Sequence, residues 1–357
     1  MMIDFSILEH AVSHPTSRVG KFLGLISGEC DDLTLSRLAA TSAATTRQHF
    51  GRTMRLFAPL YVSNDCVNSC LYCGFARRND IPRRSLTLPE VLEEASILLK
   101  NGFRNLLIVS SENNKAVSSD YLVNICKALS ADFPEIAVEV APLETEVYAR
   151  LSEVGTDGLT VFQETYLPDL YSEMHPFGPK RNYLWRLQAP ERAYSGGFRR
   201  LGIGALLGLT HWREETLLLA AHLDYLMREC WRASISLSFP RLRPAAGAFN
   251  PPHPVSDRDF IRLVCAFRIA FPQVGIVIST RESPALRDTL APLGVTMMSA
   301  GAKTNPGGYR DAHCGSGKST PAETQFNVSD ERSPEEVTAQ LRRLGLEPVR
   351  KDWQREK

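Results

Sequence analysis

Three cysteines lie close together in the chain, at Cys66, Cys70 and Cys73. Thiolates with this C-x3-C-x2-C spacing are typical ligands of a soft metal centre. A four-iron cluster normally takes four cysteines, so three would leave one iron open to a further ligand. The spacing therefore predicts an iron–sulfur cluster with one open coordination position.

Zinc and a disulfide are the alternatives. Structural zinc sites usually add a second C-x2-C pair or a nearby histidine, but the nearest histidine upstream is His49. A disulfide is disfavoured because the spacing is short, one cysteine would remain unpaired, and we expect no signal peptide at the N-terminus. The remaining cysteines are scattered, at Cys30, Cys126, Cys230, Cys265 and Cys314. We predict that the first four are free thiols in apolar runs, whereas Cys314 lies in a polar loop and could be reactive.

The composition excludes several classes of function. The chain has 357 residues, 43% of them hydrophobic, and its 41 basic and 40 acidic residues give a net charge of +1. This balance predicts no nucleic-acid or acidic membrane partner. No apolar run approaches the length of a membrane span. We therefore expect a cytoplasmic protein in a reducing environment, which suits an oxygen-sensitive cluster.

The elements that must position the cysteines alternate between β-type and helical runs. The β-type runs are mostly continuous and apolar, as in parallel strands that are covered on both faces. They lie at Phe57–Val62, Asn105–Ser110, Ile136–Val140, Gly158–Gln163, Ile203–Leu209, Ser234–Phe239, Gly275–Thr280 and Val295–Ser299. Eight strands with seven intervening helices predict an α/β fold of the complete (β/α)8 TIM type.

Three segments are expected along the chain. Residues 1–50 form a polar helical extension, residues 51–305 the barrel, and residues 306–357 a C-terminal extension of loop and helix. Capping boxes predict helices that begin after Thr87 and after Ser333. The Gly-, Pro- and Ser-rich stretch after Ser299 is predicted to be loop.

Polar residues follow nearly every predicted strand, and barrel active sites lie at the carboxyl ends of the strands. The groups are the cysteine loop, Ser110-Ser111-Glu112, Glu139, Gln163-Glu164-Thr165-Tyr166, Ser238 to Pro244, Thr280-Arg281-Glu282 and Ser299. One such group could be only a solvated loop anchor. Their concentration at one rim favours an enzyme over a non-catalytic barrel with a structural metal.

The cysteine motif, with Tyr72 before its last cysteine, resembles that of the radical S-adenosylmethionine (SAM) superfamily. In that superfamily SAM chelates the open iron of a [4Fe–4S] cluster. The resemblance implies SAM contacts from Tyr72, Glu112 and Glu139, although the usual Gly-Gly-Glu after the second strand is here Ser-Ser-Glu. We expect Glu164 to contact the ammonium of SAM and Arg186 its carboxylate. A structural salt bridge between these two side chains is the alternative.

An amino-acid substrate needs a second cation for its own carboxylate. Arg281 and Ser299, at the ends of the seventh and eighth predicted strands, are the candidates. Alternatively, Arg281 could bind Glu282 or backbone, and Ser299 could be only a small residue at a tight strand end. Arg241 and its neighbour Arg243 are competing candidates, which could equally bind SAM or hold the loop after the sixth strand.

Further motifs resemble 2-iminoacetate synthase, the radical SAM tyrosine lyase of thiamine thiazole biosynthesis, over nearly the whole chain. They are 58-APLYVSN-64, 73-CGF-75, 189-APERA-193, 202-GIGALLGL-209, 238-SFPRLRP-244, 278-ISTRES-283 and 348-PVRKDW-353. The resemblance implies cleavage of the Cα–Cβ bond of tyrosine to 2-iminoacetate and p-cresol. It also implies Tyr61, Arg281 and Ser299 as substrate-binding residues, with Arg241 as a further candidate. The implied partners are a thiazole synthase subunit and a flavodoxin or ferredoxin type electron donor.

Two relatives of this family are alternatives. The tyrosine lyase that matures [FeFe]-hydrogenase carries further cysteines in a C-terminal extension, and we expect none here because the chain ends at residue 357. A tryptophan lyase shares the positions of Tyr61, Arg281 and Ser299. These residues therefore predict an aromatic amino-acid substrate without separating tyrosine from tryptophan.

Overall fold

Eight parallel strands close into a barrel. The computed structural model describes residues 9, 12–247, 249–314 and 324–350. The strands are β1 (Thr53–Ser63), β2 (Asn105–Ser110), β3 (Glu135–Glu139), β4 (Thr156–Glu164), β5 (Arg200–Ala205), β6 (Ser234–Ser238), β7 (Gly275–Ile278), β8 (Met297–Ser299) and a ninth, β9 (Glu347–Val349). Each strand from β1 to β7 pairs with the next, and β8 pairs with β1, which closes the barrel. The predicted (β/α)8 fold is confirmed.

Helices follow most strands and cover the outside of the barrel. They are α1 (Arg18–Ile26), α2 (Asp32–Phe50), α3 (Leu88–Lys100), α4 (Ser119–Leu129), α5 (Thr145–Glu153), α6 (Pro168–Met174), α7 (Tyr183–Leu187), α8 (Ala189–Ser195), α9 (Trp212–Glu229), α10 (Asp257–Ala270), α11 (Pro284–Leu290), α12 (Gly308–His313) and α13 (Pro334–Arg343). Within the described ranges, no helix combines the length and the apolar character that crossing a membrane requires.

Both predicted capping boxes are present. At the start of α3, the Glu90 carboxylate accepts hydrogen bonds from the Thr87 backbone N–H and hydroxyl, at 2.8 and 2.9 Å. The bond from the Thr87 N–H and that from the Arg84 guanidinium lower the pKa of Glu90 to about 2. Ser333 and Glu336 form the same reciprocal pair at the start of α13. Both helices therefore begin where their sequences predict.

The N-terminal helices pack on the outer surface of the barrel, against α10. The rings of Phe22 and Phe267 lie 4.3 Å apart between their centroids. Arg262 of α10 donates to the backbone carbonyls of Leu25, Ser27 and Gly28, which satisfies carbonyls at the end of α1. The predicted helical character is confirmed from Arg18 to Phe50, whereas residues 1–6, where no targeting signal was expected, lie outside the described residues.

The fifth predicted strand was too long at its carboxyl end. We expected it to reach Leu209, but β5 ends at Ala205. The next two N–H groups leave the strand and donate to other elements, that of Leu206 to the Glu164 carbonyl and that of Leu207 to the Pro240 carbonyl, both at 2.8 Å. Gly208 then takes a φ of +113°, which ends extended structure. The apolar run is continuous because this loop is as buried as the strand before it.

Two further expectations about helices and loops need correction. The connection between β4 and β5 contains α6, α7, α8 and a 3-10 turn rather than one helix, so the count of seven intervening helices was too low. The predicted loop after β8 includes the short helix α12, whose first N–H groups are capped by the buried carboxylate of Glu94. The last part of the predicted loop, residues 315–318, lies outside the described residues.

The C-terminal extension also contains a strand that the sequence analysis did not predict. β9 pairs in parallel with Thr53 to Arg55, the first residues of β1. Because Arg55 pairs with Met297 of β8 as well, β9 lies on the edge of β1 that β2 occupies further along. Its three residues are too few to give a recognisable alternating pattern.

Candidate active site

One cavity, with a volume of about 260 Å³, extends inside the barrel from the amino ends of the strands to their carboxyl ends. Four predicted site residues line its upper end, namely Tyr61 of β1, Glu139 of β3, Arg281 after β7 and Ser299 of β8. Apolar side chains line much of the remaining wall. An aromatic side chain could therefore lie between these walls while its polar end meets the charged rim.

The cysteine loop lies directly after β1, beside this rim. The Asn68 side chain anchors this loop to two other segments. It donates to the Glu112 carboxylate at 2.7 Å and accepts from the Lys180 N–H at 3.0 Å. The Glu112 carbonyl also accepts from the Val67 N–H at 2.9 Å. Glu112, predicted as a SAM contact, is thus observed holding the cysteine loop. A contact to SAM stays a prediction.

The three cysteines are free thiols in this loop, with Cys70 buried and the other two partly exposed. Burial raises the pKa of Cys70 to about 12, and the neighbouring Cys73 and Cys66 add to the rise. A bound iron centre would reverse this effect, because it favours the thiolate form. In the described part of the chain, no three His, Cys, Asp or Glu side chains converge as ligands of a single ion do. A [4Fe–4S] cluster takes each thiolate on a different iron, so the donor set fits it without such convergence.

Glu164, at the end of β4, is held in an unusual backbone conformation. Its φ of +71° is the only positive value among the non-glycine residues that the structure describes. Such strain costs on the order of 1–3 kcal/mol and concentrates at functional sites. Glu215 of α9 fixes the two following residues, accepting from the Thr165 hydroxyl and the Tyr166 N–H at 2.7 Å each. The sequence analysis missed Glu215, whose partners lie about fifty residues away in the chain.

The Glu164 carboxylate lies between two cations. Lys180 donates to it at 2.7 Å, and an Arg186 guanidinium nitrogen lies 3.8 Å away. Burial would raise the pKa of Glu164, but the charges of Lys180 and Arg186 outweigh it and lower the pKa. Arg186 also donates to the Phe162 carbonyl at 2.6 Å. The salt bridge is therefore present, and the sequence analysis missed Lys180, its nearer member.

Tyr72 also lies near Lys180, whose ammonium is 5.7 Å from the centroid of the tyrosine ring. The Tyr72 hydroxyl bonds to Nε2 of the buried His175 at 2.7 Å, and Nδ1 of that histidine bonds to the Tyr171 carbonyl at 2.7 Å. Because a carbonyl can only accept, Nδ1 carries the proton and Nε2 accepts from Tyr72. Burial lowers the pKa of His175 to about 3, which keeps it neutral in this role.

Arg281 projects into the cavity and has no acidic partner in the structure as described. Its guanidinium lies 3.4 Å from the centroid of the Phe326 ring, and no described carboxylate or carbonyl accepts from its side chain. Glu282, the neighbour that could have neutralised it, binds other residues. Burial lowers the pKa of Arg281, but an arginine guanidinium keeps its charge in proteins. The cavity therefore presents a cation that no described carboxylate binds directly.

Ser299 and Tyr61 flank this cation. The Ser299 hydroxyl accepts from the Thr280 N–H at 3.0 Å and keeps its own hydrogen available for the cavity. The Tyr61 hydroxyl donates to Gln325 Oε1 at 2.7 Å. Glu139 completes the group, and burial followed by repulsion from Glu164 raises its pKa to about 7.

Arg241 is not on the wall of this cavity, contrary to the prediction that it contacts the substrate. Its guanidinium binds Glu282, lies 2.7 Å from Asp257, and donates to the Val255 carbonyl at 2.9 Å. Arg243 also binds Glu282, at 2.8 Å. These contacts support the alternative role, which is to hold the loop after β6.

Comparison with known proteins extends these observations. The Radical SAM superfamily matches residues 60–220, and the Biotin and Thiamin Synthesis associated domain matches residues 238–347. The 2-iminoacetate synthase of Escherichia coli (strain K12) is 40% identical over 320 residues, which are 89% of this chain and 83% of that protein.

Two solved structures of a related protein have the same fold as this chain. A crystal structure of HydG, a maturase of the [FeFe]-hydrogenase, superposes with a TM-score of 0.87 at 31% identity, covering 98% of this chain and 80% of that one. HydG from Carboxydothermus hydrogenoformans superposes with a TM-score of 0.83 at 35% identity, covering 97% and 82% of the two chains.

Proposed function

The chain belongs to the 2-iminoacetate synthase family of radical SAM enzymes, and we propose that it cleaves the Cα–Cβ bond of L-tyrosine to 2-iminoacetate and p-cresol for thiamine thiazole synthesis. The observation that carries the choice of an amino-acid substrate is Arg281. A half-buried cation that no carboxylate binds directly is costly, and an anionic ligand would reduce that cost. The carboxylate of tyrosine has the charge and the planar shape that a guanidinium binds with two hydrogen bonds.

The cysteines and the charges after β4 serve the cofactors in this proposal. Cys66, Cys70 and Cys73 hold a [4Fe–4S] cluster, and Glu164 and Arg186 bind the amino and carboxylate groups of SAM. When bound, the reduced cluster and SAM supply a 5′-deoxyadenosyl radical, which abstracts a hydrogen atom from the substrate. The protein contributes binding, orientation and exclusion of water.

The remaining residues orient tyrosine. Arg281 and Ser299 bind its carboxylate, since both present N–H or O–H donors to the cavity. Glu139 was expected to contact SAM, but because it lines this cavity we propose instead that it attracts the tyrosine ammonium and, with a pKa of about 7, can take a proton from it. The apolar wall below the rim receives the phenol ring.

The partners follow from the chemistry of the product. An imine hydrolyses in water, so we propose direct transfer of 2-iminoacetate to a thiazole synthase subunit in the cytoplasm. A flavodoxin or ferredoxin type protein would supply the electron. We also propose that residues 1–50, 51–305 and 306–357 are the helical extension, the catalytic barrel and the C-terminal extension.

The test is anaerobic incubation of the enzyme with SAM, dithionite and one aromatic amino acid at a time. Tyrosine should give p-cresol, 5′-deoxyadenosine and glyoxylate from the hydrolysed imine, in similar amounts. Phenylalanine is the matched control, because it lacks only the hydroxyl. Faster consumption of tryptophan than of tyrosine would keep the lyase class and overturn the proposed substrate, pathway and partner.

A further inference from the structure

Residues 324–330, which we call the strap, cross the mouth of the barrel above the cavity. One end is fixed where the Gln325 N–H donates to the Thr304 carbonyl at 3.1 Å. The other is fixed where the N–H groups of Ser329 and Asp330 donate to the Thr280 carbonyl at 2.9 and 3.1 Å. Thr280 directly precedes Arg281, so the strap is attached to the strand end that carries this cation.

A buried ion pair strengthens the second attachment. The Asp330 carboxylate binds the guanidinium of Arg287, and both side chains are fully buried. Arg287 also donates to the Ser299 carbonyl. The strap and the two strand ends that carry Arg281 and Ser299 are thereby joined into one rigid unit.

The strap also lies against the cysteine loop. A Cβ atom added to Gly74, the residue after Cys73, would lie 2.6 Å from the Gln325 carbonyl oxygen and 2.9 Å from that of Thr324. Only glycine permits this approach. The strap therefore spans from the cysteine loop to the candidate substrate site.

Two strap side chains contact the residues that we assign to substrate. The Phe326 ring covers one face of the Arg281 guanidinium at 3.4 Å, which leaves the N–H groups at its edge free for a carboxylate. The Gln325 carboxamide accepts the only hydrogen of the Tyr61 hydroxyl, so the Tyr61 oxygen can only accept from a ligand in the cavity. It would suit the ammonium of an amino acid and not its carboxylate.

We propose that Phe326 and Gln325 are positioning residues, which set the orientation of Arg281 and the polarity of Tyr61 for binding of an α-amino acid. This inference rests on the proposed function. The strap aligns the carboxylate-binding and ammonium-binding groups before the substrate arrives, so less ordering is needed on binding.

The experiment measures the tyrosine Kd by calorimetry with oxidised, SAM-loaded enzyme, in which no turnover occurs. Phe326→Leu keeps an apolar side chain but removes the ring, and should raise the Kd about 2- to 30-fold. Gln325→Leu should raise it about 2- to 10-fold. Phe326→Tyr keeps the ring and should bind tyrosine with the wild-type Kd. Asn327→Ala is the matched control, because its side chain is exposed on the same strap.

Double variants separate positioning from loss of structure. Phe326→Leu should have no further effect on the Kd when Arg281 is already alanine, and Gln325→Leu should have none when Tyr61 is already phenylalanine. Equal losses in both backgrounds, or unchanged binding in the single variants, would overturn the inference while the wild-type enzyme still cleaves tyrosine. Failure of the wild-type enzyme to bind tyrosine would instead overturn the proposed function, and the inference with it.

Discussion

Replacing Arg281 by alanine should weaken tyrosine binding without stopping the cleavage of SAM. Truncating one partner of a buried, hydrogen-bonded charge pair costs about 2–5 kcal/mol. The guanidinium is only half-buried, so water in the cavity screens the pair, and we expect the lower part of this range, about 2–3 kcal/mol. That corresponds to a rise of about 30- to 150-fold in the tyrosine Kd. Lys180 and Arg186 are engaged with Glu164 and cannot take over.

The assay pairs two measurements on the same protein. Calorimetry on oxidised, SAM-loaded enzyme gives the tyrosine Kd, and 5′-deoxyadenosine formed without tyrosine reports the state of the cofactor site. Arg281→Lys should recover only part of the binding, because an ammonium cannot form the two parallel hydrogen bonds of a guanidinium. A tyrosine Kd within twofold of wild type in Arg281→Ala would refute the assignment of this residue to the substrate carboxylate.

Three further outcomes are expected. Cys70→Ala should lose most of the bound iron and all SAM cleavage. Its control Cys126→Ala, at a cysteine buried in α4, should keep both and lose about 1–2 kcal/mol of stability in chemical unfolding. Full iron content in Cys70→Ala would exclude Cys70 as a cluster ligand. Arg241→Leu should lower the free energy of unfolding by about 2–3 kcal/mol, less than the ~3–5 kcal/mol usual for a broken buried pair because Arg243 still neutralises Glu282, and should leave the tyrosine Kd unchanged. A selective loss of tyrosine binding would instead support its predicted role. In the wild type, kcat/KM for tyrosine should rise through about pH 7, because Glu139 loses its proton and then attracts the substrate ammonium. Glu139→Gln should remove this rise. An unchanged pH profile in the variant would rule out Glu139 as the group that binds the ammonium.

The sequence predicted the barrel well because its signals are local. Each strand is a short apolar run, and the capping boxes at Thr87 and Ser333 involve residues only three positions apart. Parallel strands in a barrel bring their carboxyl ends to one rim. That rule was enough to group Glu139, Arg281 and Ser299, which line one cavity, whereas Tyr61 was predicted from the family resemblance. The short strand β9 and the end of β5 were missed because burial there does not follow a strand pattern.

The supporting residues could not be predicted because their partners are distant in sequence. Tyr61 and Gln325, which share a hydrogen bond, are 264 residues apart. Lys180 lies in a short connection between helices, where nothing in its neighbours marks it as the partner of Glu164. Without aligned relatives, pairings of this kind become visible only when the chain is folded.

The arginines after β6 and β7 illustrate what folding adds. Arg241 and Arg281 both follow strand ends, and both were candidates for the substrate carboxylate. The turn after β7, closed by a hydrogen bond from the Glu282 N–H to the Ser279 carbonyl, places Arg281 on the wall of the barrel cavity and Glu282 against the loop after β6. Glu282 therefore neutralises Arg241 and Arg243 and leaves its own neighbour unpaired. The state of pairing, which depends on how this turn is folded, distinguishes the arginine that holds a loop from the one that is available to a substrate.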